Sequence, residues 1–242
     1  MLQQSHEQRY LNLDSMKNTR DLGGYETKSG QYTKVKKYIR GSSSANLSLQ
    51  DKKNIIEYGI THVLDLRSVF EIEHQPSLLQ HGHFEYCNIP LLQETTMSIL
   101  PDLSQYEGMS GYYIYLLEAN KKQIKLIFEY LYENLGQNIL FHCSSGKDRT
   151  GLISALLLDL AGCFEQDIVV DYRLSNEYNQ EMINKLKAVM PQKDQPFLYA
   201  LDQYMIEVLD YIYDEFGSAK GYLMDCGVSL QKIEDIINDF IL

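Results

Sequence analysis

Residues 138–151 read NILFHCSSGKDRTG, and the fold is read outward from this stretch. The run from Asn138 to His142 is short, apolar and of strand character, and a strongly apolar helical segment starts near Arg149. A strand that turns into a helix aims successive backbone N–H groups into one concavity, and the helix N-terminus adds partial positive charge. Such a turn is a socket for a tetrahedral dianion. Gly146 permits the unusual backbone angles of the cradle, and Gly151 is expected to let the helix pack closely on the strand. Arg149 supplies a planar fork that grips two oxygens at once. The expected phosphate-binding set is Ser144, Ser145, Gly146, Lys147, Asp148, Arg149 and Thr150.

Cys143 sits at the base of this socket. The field that binds an anion also favours the thiolate, which is the nucleophilic form. Thiolate attack on phosphorus gives a thiophosphoryl intermediate that water then hydrolyses. Thr150 follows the arginine, where its hydroxyl is placed to bond the thiolate. His142 is expected to orient the loop through side-chain hydrogen bonds.

The rest of the chain supplies a frame for this turn. Residues 23–40 carry turn signals at Gly23-Gly24 and Ser29-Gly30, suggesting an early hairpin. Ser48 to Asp51 resembles a capping box, and Gly59 a C-cap, for a short helix between them. Residues 60–64 and 84–89 read as strands, residues 92–111 as loop, and residues 112–135 as a helix stopped by Gly136. Beyond Glu165 only helices are expected, around 166–188, around 196–216 and after Ser229. The alternation predicts an α/β fold with a mainly parallel central sheet flanked by helices. The extra C-terminal helices, about 166–216, are a candidate lid hinged at Pro191 to Pro196. No repeat or linker divides the chain, so residues 1–242 read as a single domain.

Composition narrows the function. At 242 residues the chain buries a full core without staples. Its net charge of −11 disfavours a nucleic-acid binder, which needs a basic face. Four cysteines, Cys87, Cys143, Cys163 and Cys226, are too scattered for a disulfide framework or a paired-cysteine zinc site. Apart from Cys143 they read as small core hydrophobes, with a protective disulfide to Cys143 as the alternative. The histidines show no metal-ligand spacing, and thiolate chemistry needs neither metal nor cofactor. The polar N-terminus shows no secretory leader and no run is long enough to span a membrane, so a cytoplasmic location is expected.

The His-Cys-x5-Arg-Thr-Gly pattern resembles the signature of the protein tyrosine phosphatase superfamily. Tryptophan is absent, so the mobile Trp-Pro-Asp loop of the receptor and cytosolic eukaryotic enzymes cannot exist in its usual form. The closer resemblance is to the atypical bacterial tyrosine/serine phosphatases with an HCxxGKDRTG loop, including secreted mycobacterial and Listeria-type enzymes. Asn18 to Tyr25 (NTRDLGGY) resembles the opening of that family. Tyr38 to Ser42 resembles its strand ending in Arg-Ser, with Gly41 inserted. Gly59 to Ser68, with Glu71, is similar to its Gly-Ile…Asp-Leu-Arg-Ser element. Asp171 to Asn176 is similar to its Tyr-x-Leu-Ser-Asn helix, and Gly221 to Leu223 to its C-terminus. The resemblance implies a phosphatase-like fold and hydrolysis of phosphotyrosine, with phosphoserine/threonine or phosphoinositides as further substrates and a phosphoinositide phosphatase as the alternative reading.

Ester cleavage also needs a proton donor for the leaving oxygen. The resemblance favours Asp148. Asp65 is the second candidate, because strand C-termini line the crevice of open α/β sheets, and Asp102 is the third. The competing role for Asp65 is structural, in an element where Arg67 pairs with Glu71. Lys147 either contacts additional phosphates at the rim or neutralises Asp148 and nearby acids. Arg20 and Asp21 either buttress the phosphate loop or form a turn under the sheet. Tyr106, Tyr112 and Tyr113 line the pocket or belong to the core. Two other classes share such a loop: a phosphate-binding module without catalysis, and a sulfur-transfer or arsenate-reducing enzyme. The first is disfavoured by the presence of Cys143, Asp148 and Arg149 together, the second by the lack of a cysteine near Cys143.

Overall fold

The computed structural model describes residues 5–92 and 106–242. Asp102 and most of the expected loop after residue 92 lie outside the described residues. The strands are β1 (Arg20–Asp21), β2 (Tyr38–Gly41), β3 (His62–Asp65), β4 (Glu85–Asn88) and β5 (Ile139–His142). The helices are α1 (His6–Arg9), α2 (Leu49–Tyr58), α3 (Val69–His74), α4 (Gly108–Ala119), α5 (Lys121–Glu133) and α6 (Arg149–Leu160). They continue as α7 (Glu165–Arg173), α8 (Ser175–Tyr178), α9 (Gln180–Lys187), α10 (Asp202–Phe216), α11 (Ala219–Asp225) and α12 (Leu230–Phe240).

The five strands form one sheet in the order β1-β2-β5-β3-β4. The pairs β2·β5, β5·β3 and β3·β4 are parallel, and only β1 runs antiparallel to β2. This is the mainly parallel sheet that the sequence alternation predicts. Side chains alternate across it and divide the core in two. Ile39, Val63 and Leu140 point to a face covered by α2 and the N-terminal segment, where Leu13, Met16 and Ile55 pack. Tyr38, Leu64, Ile139 and Phe141 point to the opposite face, against residues of α4, α5, α6 and the C-terminal helices. Helix α6 is apolar almost all round, because it lies between the sheet and α7 and α11.

Register places the site. Gly41 and Asp65 both stand level with His142, one on each side. The loop leaving β5 is therefore flanked by residues 42–44 after β2 and 66–68 after β3.

Local signals explain the shorter elements. Ser48 accepts a hydrogen bond from the Asp51 N–H, and Gly59 closes α2 in the left-handed region at φ 101°. Ser68 and Glu71 form a reciprocal capping box at α3. The early hairpin reduces to the β1–β2 pair and a bridge between Glu26 and Tyr32. The single helix expected over 112–135 is two, α4 and α5, broken at Asn120, whose Nδ2 donates back to the Leu116 carbonyl. The span 166–188 is three helices. The segment Gln192–Leu198 is a 3-10 turn containing Pro196, and α10 begins only at Asp202. Among the described residues no helix is long and apolar enough to cross a membrane.

Candidate active site

The loop between β5 and α6 is hung by its carbonyls. Ser144 O accepts from the Ser43 N–H at 2.9 Å. Ser145 O accepts from Asn18 Nδ2 and Asn179 Nδ2, each at 3.0 Å. Gly146 O accepts from Arg40 Nη2 at 2.7 Å. In a trans peptide the carbonyl and the following N–H point opposite ways. Fastening three carbonyls outward therefore turns the N–H groups of Ser145, Gly146 and Lys147 inward, the last of them meeting Ser145 Oγ at 3.3 Å. Gly146 is required here: its φ is +69°, and a Cβ would stand 2.5 Å from Gly41 O. The inserted Gly41 has its own reason, since a Cβ there would stand 2.8 Å from Thr19 Oγ1.

The buttress behind the loop is ionic. Asp171 of α7 pairs with both Arg20 and Arg40, accepts from Tyr25, and all four side chains are buried. Burial opposes the Asp171 anion, yet the two guanidinium groups hold its carboxyl far below the usual carboxylate range. Arg20 also bonds Asn18 Oδ1, orienting the amide that reaches Ser145. Arg20 thus buttresses the loop through Asn18. Asp21 instead holds the hairpin, accepting from the Gly23 and Lys36 N–H groups and the Tyr58 hydroxyl.

Cys143 is buried at the start of the loop. His142 lies beneath it, with Nδ1 at 3.2 Å from Cys143 O. Burial pushes the His142 ring down in pKa, against the pull of the Asp65 carboxylate 3.6 Å from its Nε2. Thr150 Oγ1 is buried and finds no hydrogen-bond partner among the described residues. The bond to Cys143 expected of it is not made. A Cβ at Gly151 would stand 3.2 Å from the Tyr172 ring and 3.7 Å from Arg40 Nη2, so the close approach is to α7 first and then to a side chain of β2.

Arg149 is clamped by Glu71. Its Nη1 donates to Oε2 at 2.6 Å and its Nη2 to Oε1 at 2.9 Å, while the Ser144 hydroxyl bonds the same Oε1. Burial works against the Glu71 anion, but Arg149, Ser144 and the Ser68 N–H bring its pKa down to about 2. Arg67 therefore does not pair with Glu71. It folds back on Asp65, with Nη2 to Oδ2 at 2.7 Å and its own N–H to Oδ1 at 3.0 Å. Asp65 also accepts from Tyr86 and is wholly buried. Against the cost of burial, His142 and Arg67 hold its carboxyl below the usual range, so it carries no proton at neutral pH. This geometry suits a structural anchor and not a proton donor.

Asp148 stands at the N-cap position of α6, makes no side-chain cap bond, and remains partly open, its side chain 28% exposed. Its Oδ1 accepts from the Tyr113 hydroxyl. Tyr112 and Tyr113 are buried in the core of the helical face. Lys147 is buried, with Nζ 2.7 Å from the Phe197 carbonyl and 3.4 Å from Asp148 Oδ1. It ties the loop to the 3-10 turn at residues 192–198, the stretch that the sequence suggests as a hinge. A cleft of ≈ 750 Å³ runs along the loop's flank, lined by Lys17, Ser42, Ser144, Ser145, Tyr178 and Lys185 among others. Cys163 is buried, Cys87 and Cys226 half-buried, and all four cysteines are free thiols.

Sequence reasoning missed Asn179, Arg40 and the role of Glu71. The Ser68-x-x-Glu71 capping box was the available signal for the last, because it fixes Glu71 in the first turn of the helix that follows β3, the strand beside β5.

A buried cysteine under an amide cradle, with an arginine fork set by a carboxylate, defines a class of phosphoester-binding fold. Comparison narrows it: the model of the tyrosine phosphatase family matches residues 11–241, and the chain belongs to that family of hydrolases. It is 28% identical over 212 residues to a tyrosine-protein phosphatase of Nostoc commune, covering 82% of this chain and 72% of that one. It is 29% identical to the triple specificity protein phosphatase PtpB of Mycobacterium tuberculosis, over 39% of this chain and 40% of that one. Among solved structures, TpbA of P. aeruginosa aligns over 81% of this chain and 90% of its own, at 14% identity and a TM-score of 0.35.

Proposed function

We propose that this chain, as one domain, hydrolyses phosphotyrosine in protein substrates through a phosphocysteine on Cys143. The phosphoryl oxygens lie on the N–H groups of residues 144–149 and on the Arg149 fork. Cys143 Sγ forms the bond to phosphorus as the bond to the tyrosine oxygen breaks, and Asp148 gives that oxygen its proton. The Asp148 carboxylate then takes a proton from water. The water oxygen bonds phosphorus, the P–S bond breaks, and phosphate and the thiolate are released. No cofactor enters these steps.

The observation that carries this reading is the bidentate Glu71–Arg149 pair beside a loop whose carbonyls are fastened outward. That arrangement supports a loop preorganised for a phosphoryl group over Cys143, and phosphoryl transfer rewards preorganisation. A phosphoinositide preference would need Lys147 to reach extra phosphates, whereas its Nζ is held by the Phe197 carbonyl. The similarity to a protein named for triple specificity supports including phosphoserine and phosphothreonine in the test.

The test is a panel of phosphopeptides and phosphoinositides assayed with the wild type, Cys143→Ser and Arg149→Lys. Cys143→Ser is expected to bind phosphotyrosine peptide without turnover. Arg149→Lys is expected to lose orders of magnitude in kcat/KM, because an ammonium cannot reproduce the fork. Substantial hydrolysis by Cys143→Ser would overturn the covalent route, and faster turnover of phosphoinositides than of phosphopeptides would overturn the substrate.

A further inference from the structure

We infer that Tyr113 and Tyr172 form a buried, ordered hydroxyl pair that positions Asp148 by one oxygen, leaving Oδ2 to carry the proton for the leaving group. The inference rests on Asp148 being the acid, as proposed above.

Tyr113 comes from α4 and Tyr172 from α7, and both are sealed from solvent. Their rings meet edge to face, centroids 6.1 Å apart. The two hydroxyl oxygens are 2.8 Å apart. A phenol has one proton to donate. That of Tyr113 is committed to Asp148 Oδ1, so in the contact between the two tyrosines Tyr172 donates and Tyr113 accepts. The chain runs in one direction, Tyr172 to Tyr113 to Oδ1. The Lys147 ammonium lies on the same oxygen at 3.4 Å. A proton on Oδ1 would face the Tyr113 donor and the Lys147 charge, so a protonated Asp148 holds it on Oδ2, which has no partner among the described residues. Burial and the nearby Asp148 charge raise the Tyr113 pKa well above its ordinary value, which keeps it a donor.

Packing alone does not explain these residues. Both belong to the buried apolar cluster that also holds Leu116, Leu152, Leu156 and Met205, and phenylalanine would fill the same volume. A buried hydroxyl costs free energy unless it is hydrogen-bonded. Here the two hydroxyls bond each other and the carboxylate at the mouth of the loop. The pair thereby acts through Asp148, and both tyrosines are positioning residues.

The experiment measures kcat/KM, which reports P–O cleavage, on phenyl phosphate (a poor leaving group) and dinitrophenyl phosphate (one that departs unaided). Asp148→Asn is expected to lose roughly 100-fold or more on phenyl phosphate and little on the activated ester. Tyr113→Phe is expected to lose roughly tenfold on phenyl phosphate and less than about twofold on the activated ester, the effect of one charge-assisted hydrogen bond. Tyr172→Phe should shift the same ratio in the same direction by a smaller factor. In an Asp148→Asn background, Tyr113→Phe should leave the ratio unchanged, since its partner role is gone. Equal losses on both esters, or none, for Tyr113→Phe and Tyr172→Phe would overturn the inference while a steep Asp148→Asn kept the acid in place. A flat Asp148→Asn would overturn the acid assignment and this inference together.

Discussion

Replacing Glu71 by glutamine separates the clamp on Arg149 from the rest of the loop. The two side chains have the same shape, but the amide brings an NH2 group against one arm of the guanidinium, so the two-point pairing is lost. Its size follows from the carboxyl's titration. The ordinary value is 4.5, and in the fold it is about 2. At ~1.4 kcal/mol per pKa unit, the ionised clamp contributes about 3 kcal/mol at neutral pH.

The folded value is the depressed one, so this contribution is fully present above about 4.5 and is lost as pH falls towards about 2. Glutamine does not titrate. The stability difference between wild type and Glu71→Gln should therefore shrink by about 2 kcal/mol between pH 7 and pH 3. Urea titrations of both proteins at four or five pH values measure it. Other acid-sensitive groups, Asp171 above all, titrate in both proteins and cancel in the difference. A stability difference that stays constant with pH would refute the reasoning. In the same samples kcat/KM on an aryl phosphate should fall by roughly tenfold or more, because the fork is no longer aimed.

Other substitutions probe the support of the loop. Phosphate is expected to raise the melting temperature of the wild type, and Gly146→Ala, which combines φ +69° with a Cβ 2.5 Å from Gly41 O, should abolish that rise. Asp171→Asn leaves Arg20 and Arg40 buried without their shared anion and should destabilise by roughly 3–5 kcal/mol in urea unfolding. Asn18→Ala and Asn179→Ala each remove one of two donors to Ser145 O. Each alone should cost about 1 kcal/mol in urea unfolding, and the pair more than the sum, because the carbonyl is then left without either donor.

Much of the fold is legible in the sequence because its signals are local. The capping residues Ser48 and Ser68, the C-cap at Gly59 and the apolar run from Ile139 to Phe141 each act within a few positions, and the structure realises them. The helix breaks were hidden for the same reason. Apolar spacing carries across Asn120, Leu174 and Asn179, and a one-residue interruption leaves almost no trace in it. The clamp was hidden because it spans the 78 positions between Glu71 and Arg149. Only the placement of β3 beside β5 brings them together. A local rule offered Arg67 as the partner of Glu71, four residues away, but Arg67 sits where the chain turns back on Asp65 and takes the nearer carboxylate.

The proposed dianion site belongs to a chain of net charge −11, and the arrangement of charges around the loop reconciles the two. Arg20 and Arg40 are answered by Asp171, Arg149 by Glu71, and Lys147 stands beside Asp148. Four cations against three carboxylates leave an excess of only one formal charge, so local net charge is not the main source of attraction. The ion pairs instead fix geometry: Arg20 orients Asn18 on the Ser145 carbonyl, Arg40 holds the Gly146 carbonyl, and Glu71 holds the fork. With the carbonyls drawn outward by these groups, the inward amides and the N-terminus of α6 supply the positive potential. Amide dipoles act over a few ångströms and do not attract anions to the surface at large. The acidic exterior and the anion socket are thus compatible, because the socket is built from oriented backbone and the paired charges serve to orient it.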